Sequence, residues 1–149
     1  SCLEANKLLH LYPNTNGSFI KQLSEDYSLN LVKQSCGYLS TKIFTALNSY
    51  NNINDKRIVI GSDIPSISKA ELYECIDYLS SYDMVIGPSK DGGFYLVGCK
   101  GSAHKIFKNM NLNIILIENL LNICSKKKIS FILLRKLKDI DEPRDLLTL

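Results

Sequence analysis

Residues 57–65 read Arg-Ile-Val-Ile-Gly-Ser-Asp-Ile-Pro, "RIVIGSDIP". A short apolar run stops at a glycine and gives way to a serine, an acid and a proline. The run has no polar/apolar alternation, so it predicts a strand buried on both faces, as in parallel sheets. Ser68-Lys69-Ala70-Glu71 follows with the pattern of a capping box, which starts a helix. Leu72, Ile76 and Leu79 then supply the buried stripe of that helix. A strand, a turn bearing an acid, and a helix are thus laid out in about two dozen residues.

The same alternation continues in both directions. Downstream, Asp83–Gly87 and Phe94–Val97 read as two further strands, and Ile129–Leu134 as the last one. Ala103–Asn109 and the stripe Leu116, Leu120, Ile123 read as helical. Upstream, Leu8–Tyr12 reads as a short strand ended by Pro13. Ser18–Leu23 reads as a brief helix, Leu31-Val32 as a short strand, and Leu39, Ile43, Phe44, Leu47 and Tyr50 as a helical stripe. Glu142-Pro143-Arg144-Asp145-Leu146 reads as a helix start, with proline in the first turn. Strands alternating with helices predict an α/β fold, a Rossmann-like three-layer sandwich with a mostly parallel sheet.

Composition excludes several classes. The chain has 149 residues, 45% hydrophobic and 22% charged, which fits one globular domain over 1–149. No apolar run approaches the ~18 residues of a membrane span, and the first residues lack the pattern of a signal peptide. The net charge of +3 is mild, and no basic stripe interleaved with aromatics is present, so no nucleic-acid partner is expected. Lys126-Lys127-Lys128 reads as cations at a helix C-terminus. The five cysteines form no C-x-x-C pair. Cys75 and Cys99 fall in apolar patterns as small core residues, and a cytoplasmic setting is expected. His10 and His104 have no Cys, Asp or Glu at metal spacing and read as structural.

In folds of this class ligands gather beyond the carboxyl ends of the strands. Three segments fall there. In Gly61-Ser62-Asp63-Ile64-Pro65, Asp63 is either a turn acid or a ligand for a divalent ion that holds phosphates. In Asp139-Ile140-Asp141, the acids at the end of the last strand are placed so that one of them can face a site. Asp141 also suits the N-cap of the last helix. In Gly87-Pro88-Ser89-Lys90-Asp91-Gly92-Gly93-Phe94-Tyr95-Leu96-Val97-Gly98, the paired glycines are either a hairpin turn or a backbone wall whose free N–H groups face a ligand.

Together these segments resemble a bacterial GT-A-fold, glycosyltransferase-like family. It is known as a domain of unknown function and as radical-SAM/selenodomain-associated transferase 1, and it is related to guanylyltransferases of the molybdenum-cofactor type. The patterns G-[ST]-D-x-P and G-P-x-x-D-G-G-[FY]-Y-L-[IV]-G carry the likeness, with the D-x-D-x-P tail and Gln34/Gly37 of a Q-x-x-G motif in support. The resemblance implies a metal-dependent transferase acting on a nucleotide or nucleotide sugar and a small-molecule acceptor. It implies catalytic roles for Asp63 and Asp91, and Mg²⁺ or Mn²⁺ on Asp63 and Asp141. It places Gln34, Gly37, Gly61, Ser62, Pro65, Gly92, Gly93 and Tyr95 among the substrate-binding residues.

The sequence also departs from the family. Tyr38, Ser40 and Lys42 stand where the family has Asp, Gly and Arg, and Lys lacks the bidentate fork of Arg. The strand and phosphate-gripping loop with which the family opens do not precede Leu8, so a truncated domain is expected. Three functions stay open: a glycosyltransferase using a nucleotide-sugar donor, a nucleotidyltransferase of the guanylyltransferase type, and a degenerate, non-catalytic copy.

Overall fold

A computed structural model describes residues 5–12, 17–49 and 55–140. The chain divides into two compact units, with the boundary in sequence between Gly37 and Tyr38. Among the described residues no helix is long and apolar enough to cross a membrane.

The first unit is a strand–helix–strand motif. β1 (Leu8–Leu11) and β2 (Asn30–Lys33) pair in parallel, from Leu8 opposite Asn30 to Leu11 opposite Lys33. Parallel neighbours need a crossover, here provided by α1 (Ser18–Tyr27). The helix runs four residues past the predicted Leu23 and stops at Ser28, whose left-handed φ of 50° ends the α-helical path. His10 lies half-buried within β1, and burial lowers its pKa.

The second unit contains a four-stranded sheet in the order β3-β5-β4-β6. Its strands are β3 (Arg57–Ile60), β4 (Met84–Pro88), β5 (Phe94–Cys99) and β6 (Phe131–Leu133). β5 is antiparallel to both β3 and β4, whereas β4 and β6 are parallel. Three of the four strands therefore share one direction and β5 is reversed. The reversal follows from chain length: residues 89–93 are enough for a hairpin but far too few for a crossover, which takes a dozen or more.

Helices cover both faces, giving the α/β layering that the sequence predicts. On one face, α2 (Leu39–Leu47), a 3₁₀ helix (Ala103–Asn109) and α4 (Ile117–Lys126) pack on Met84, Ile86, Val97 and Cys99. On the other, α3 (Lys69–Tyr78) packs on Val85, Leu96 and Tyr95. The capping box forms as predicted: Ala70 N donates to Ser68 Oγ at 3.2 Å, and Ser68 N donates to Glu71 Oε2 at 2.7 Å. β4 is buried at all five positions. β3 is not the doubly buried strand its sequence suggests. Among the described residues it pairs only with β5, and Ile60 is 40% exposed.

Cys75 and Cys99 are fully buried, as expected of small core residues, and so is Cys124. Burial raises the pKa of each thiol, so none has the thiolate character of a reactive cysteine. His104 is buried too, stacked on Phe44 with ring centroids 5.7 Å apart and with Nε2 3.2 Å from Asn48 Oδ1.

α3 approaches β5 closely at Gly98, where a Cβ would lie 2.6 Å from Cys75 Sγ and 3.1 Å from Leu79 Cδ1. Gly98→Ala is therefore expected to destabilise the protein by about 1–3 kcal/mol through overpacking. Adding Cys75→Ala should recover part of the loss. Urea unfolding of the two variants checks this, and a double variant no more stable than Gly98→Ala would show the strain to lie elsewhere.

Candidate functional site

β3, β4 and β6 run the same way, so their carboxyl ends Ile60, Pro88 and Leu133 lie along one edge of the sheet. Each is followed by a loop with an aspartate: Asp63, Asp91 and Asp139. Backbone bonds draw the three loops together. Leu134 N donates to Ile86 O at 2.9 Å and Leu137 N to Pro88 O at 3.1 Å, so the chain after β6 continues beside the end of β4. Ile140 N then donates to Asp63 O at 2.9 Å.

Asp63 is exposed, and its carboxylate curls back over Gly61: a Cβ on residue 61 would lie 2.7 Å from Asp63 Oδ1. Gly61 thus admits a close approach, here by the acid two residues on. Gly61 N is bonded to Tyr95 O at 2.8 Å, which continues the β3–β5 ladder. Ser62 is exposed, and Ile64, 5% exposed, anchors the loop in the core. Pro65 is exposed within the turn closed by Ile67 N donating to Ile64 O at 3.2 Å.

Asp91 organises the hairpin. Its Oδ1 accepts from the Ser89 hydroxyl and from Gly93 N, the latter at 2.9 Å. These two donors, Ser89 first, hold the carboxyl below the usual aspartate range, against burial that would raise it. Asp139 is a further hydrogen-bonding neighbour of the Asp91 side chain. Two carboxyl groups this close cannot both ionise freely unless a proton, a donor or a cation offsets them.

The paired glycines differ from the expectation of free N–H groups. Gly92 N donates to Ser89 O at 3.4 Å and Gly93 N is taken by Asp91, so both are spent inside the turn. Gly92 has a φ of +94°, which side-chain-bearing residues rarely adopt. Tyr95, which the resemblance places among the substrate-binding residues, lies inside the fold. It is a core side chain, 3% exposed, whose hydroxyl donates to Arg135 O at 3.1 Å. Burial, and then the charge of Glu71, pushes its pKa up to about 12.

Gln34 and Gly37 belong to the first unit. There Gln34 N donates to Leu11 O at 2.8 Å, and Gly37 has a φ of +102°. Asp141 lies outside the described residues, as does the helix start at Glu142. Among the described residues no group of three or more His, Cys, Asp or Glu side chains is arranged to hold a metal ion.

A profile for a family described as an uncharacterized protein conserved in bacteria (DUF2064) matches residues 3–113. The chain belongs to that family. The match takes in Asp63 and the Asp91 hairpin of this DUF2064 member, while Asp139 and Asp141 lie beyond it. Among solved structures, the chain is similar to a protein from Desulfovibrio desulfuricans G20, described as a proposed nucleotide-diphospho-sugar transferase. The TM-score is 0.78 at 19% sequence identity, over 93% of this chain. At that identity the likeness is one of fold. The chain spans 62% of that protein's length. No curated protein matches it.

Two residues beside the site carried no functional signal in the sequence. Glu71, the capping-box acid, also accepts from Arg135 Nε, and Arg135 NH2 reaches Ser66 O at 3.4 Å. The pair thus ties the segment after β6 to the loop that follows Asp63. Burial alone would raise the Glu71 pKa, but the Ser68 hydroxyl, Arg135 and Ser68 N–H outweigh it and hold it at about 2, against an ordinary 4.5. A folded pKa below the unfolded one adds stability that is complete above pH 4.5 and is lost as the pH falls toward 2. Glu71→Gln should cost about 1–2 kcal/mol at neutral pH. Its deficit against wild type should shrink through that acid window, as read by urea titration at several pH values. A deficit that does not vary with pH would remove the ionised Glu71 from the account.

Proposed function

We propose that this DUF2064 chain acts as a metal-dependent glycosyltransferase, with a nucleotide sugar as donor and a small molecule as acceptor. The observation that carries the reading is the convergence of the Asp63, Asp91 and Asp139 loops past the carboxyl ends of β3, β4 and β6. In an α/β sheet this is where ligands bind. Its setting is the fold of a protein proposed to be a nucleotide-diphospho-sugar transferase.

The donor set suits Mg²⁺ or Mn²⁺. Carboxylate oxygens are hard ligands, and Asp63 is exposed, with no side-chain hydrogen bond among the described residues. Mg²⁺ is usually held by one or two carboxylates plus substrate phosphates, so a cage of three protein side chains is not required. Asp63 would hold the ion, with Asp141 as the second ligand implied by the family tail. The bound ion would stabilise the negative charge of the departing nucleoside diphosphate. Asp91 would face the acceptor as an ionised carboxylate, able to accept a hydrogen bond from an attacking hydroxyl. The Gly61 loop would keep the Asp63 carboxylate folded at the sheet edge, where a side chain at residue 61 would displace it.

Thermal unfolding with a panel of nucleoside diphosphate sugars, with and without Mn²⁺, tests the reading. At ligand concentrations ~100-fold above Kd, wild type should gain about 2.7 kcal/mol. Asp63→Asn should lose the Mn²⁺-dependent part while keeping the unliganded stability. Equal Mn²⁺-dependent gains in both proteins would overturn the assignment of Asp63. Stabilisation by nucleoside triphosphates alone, with pyrophosphate released on addition of an acceptor, would point instead to nucleotidyl transfer.

A further inference from the structure

Ser89 is 2% exposed and lies between the strand and the acid of the β4–β5 hairpin. Its backbone and its side chain serve different ends. Ser89 N donates to Gly93 O at 3.2 Å, and Ser89 O accepts from Gly92 N at 3.4 Å. Ser89 also bridges to Leu137 in parallel fashion. These contacts close the turn and dock the chain after β6, and none of them needs the hydroxyl.

The hydroxyl has one partner, Asp91 Oδ1. That oxygen also accepts from Gly93 N, so two donors from different directions fix it. Residue 93 is small at the point where hydroxyl and carboxylate meet. A Cβ there would lie 3.2 Å from Ser89 Oγ, 3.2 Å from Asp91 Oδ1 and 3.5 Å from Asp91 Oδ2. Gly93 is not in the left-handed region, so this contact, rather than backbone conformation, is what a side chain at 93 would disturb.

We propose that Ser89 is a positioning residue, whose buried hydroxyl sets the orientation in which Asp91 presents its carboxylate toward Asp139 at the strand ends. That this carboxylate serves an acceptor rests on the transferase reading above. That Ser89 orients it does not.

The test uses the free protein and needs no substrate. Ser89→Ala should speed exchange of the Gly93 amide about tenfold, the loss expected for one ordinary hydrogen bond. It should also move the midpoint of the Asp91 carboxyl titration, followed by its ¹³C shift, upward toward the usual aspartate value. The paired amides of β4 and β5 should stay as protected as in wild type. Ser89→Thr, which keeps a hydroxyl, should restore the titration even if it lowers stability. A merely structural serine would instead loosen the β4 and β5 amides and leave the Asp91 midpoint in place. That result, or wild-type behaviour of both Gly93 and Asp91, overturns the proposal. Should Ser89→Ala fail to fold, Gly93→Ala crowds the same contact while keeping the hydroxyl, and the same upward shift of the Asp91 midpoint is expected. The Mn²⁺ and nucleotide-sugar unfolding series reports separately. No stabilisation of wild type there would remove the transferase reading and leave the Ser89–Asp91 result standing.

Discussion

Strand β4 has ladder partners on both sides and is buried at every position from Met84 to Pro88. A strand so placed cannot leave backbone N–H or C=O groups unpaired, because no water reaches them. β5 meets one side antiparallel through a short hairpin, and β6 meets the other in parallel after α4. This arrangement brings the exits of β4 and β6 side by side and, across the reversed β5, puts the exit of β3 on the same edge. The neighbourhood of Asp63, Asp91 and Asp139 is thus a consequence of how β4 is satisfied.

The ladder carries one irregularity, and the site is built around it. Gly87 lies opposite Leu96 and Pro88 opposite Phe94, so Tyr95 is an extra residue on β5. Such a bulge breaks the alternation of faces by one step. Phe94 and Val97 pack with the core under α2 and α4, while Tyr95 and Leu96 both turn to the core under α3. Two neighbours make this possible. Gly87 has no Cβ, which would otherwise lie 2.4 Å from the Tyr95 ring. Pro88 lacks an N–H, and a bulge is one of the few places in a sheet where that loss is tolerated. Re-aimed in this way, Tyr95 bonds through its carbonyl to the Gly61 loop and through its hydroxyl to the chain after β6. It ties two of the three site loops together from inside.

Much of this was legible in the sequence because it follows from local rules. The capping box at Ser68, the buried run of β4, and the loop acids after β3 and β4 all depend on residues close in the chain. The α/β layering followed from their order. Other features depend on contacts that no local pattern encodes. β3 has the same apolar run as a doubly buried strand, yet its exposure depends on what pairs with its second edge. Tyr95 occupies a motif position, and only the bulge turns it into the core. Glu71 was legible as a cap, but its pairing with Arg135 spans 64 positions of sequence. The hairpin that reverses β5 was one of the two readings open for the glycine pair, and five residues between two strands are too few for a crossover.

The glycine pair shows how an apparent ligand signal can have an internal cause. A glycine argues for a ligand only when nothing within the fold already requires it. Gly92 is required by a positive φ, and Gly93 by the meeting of Ser89 Oγ with the Asp91 carboxylate. What the glycines support is the acid between them and the strand. Asp91 is supplied with donors that keep it ionised, beside Asp139, at the edge where Asp63 is exposed. Holding negative charge together works against folding unless something offsets it. The Ser89 hydroxyl and the Gly93 N–H supply that offset from within the hairpin, lowering the Asp91 pKa beside Asp139.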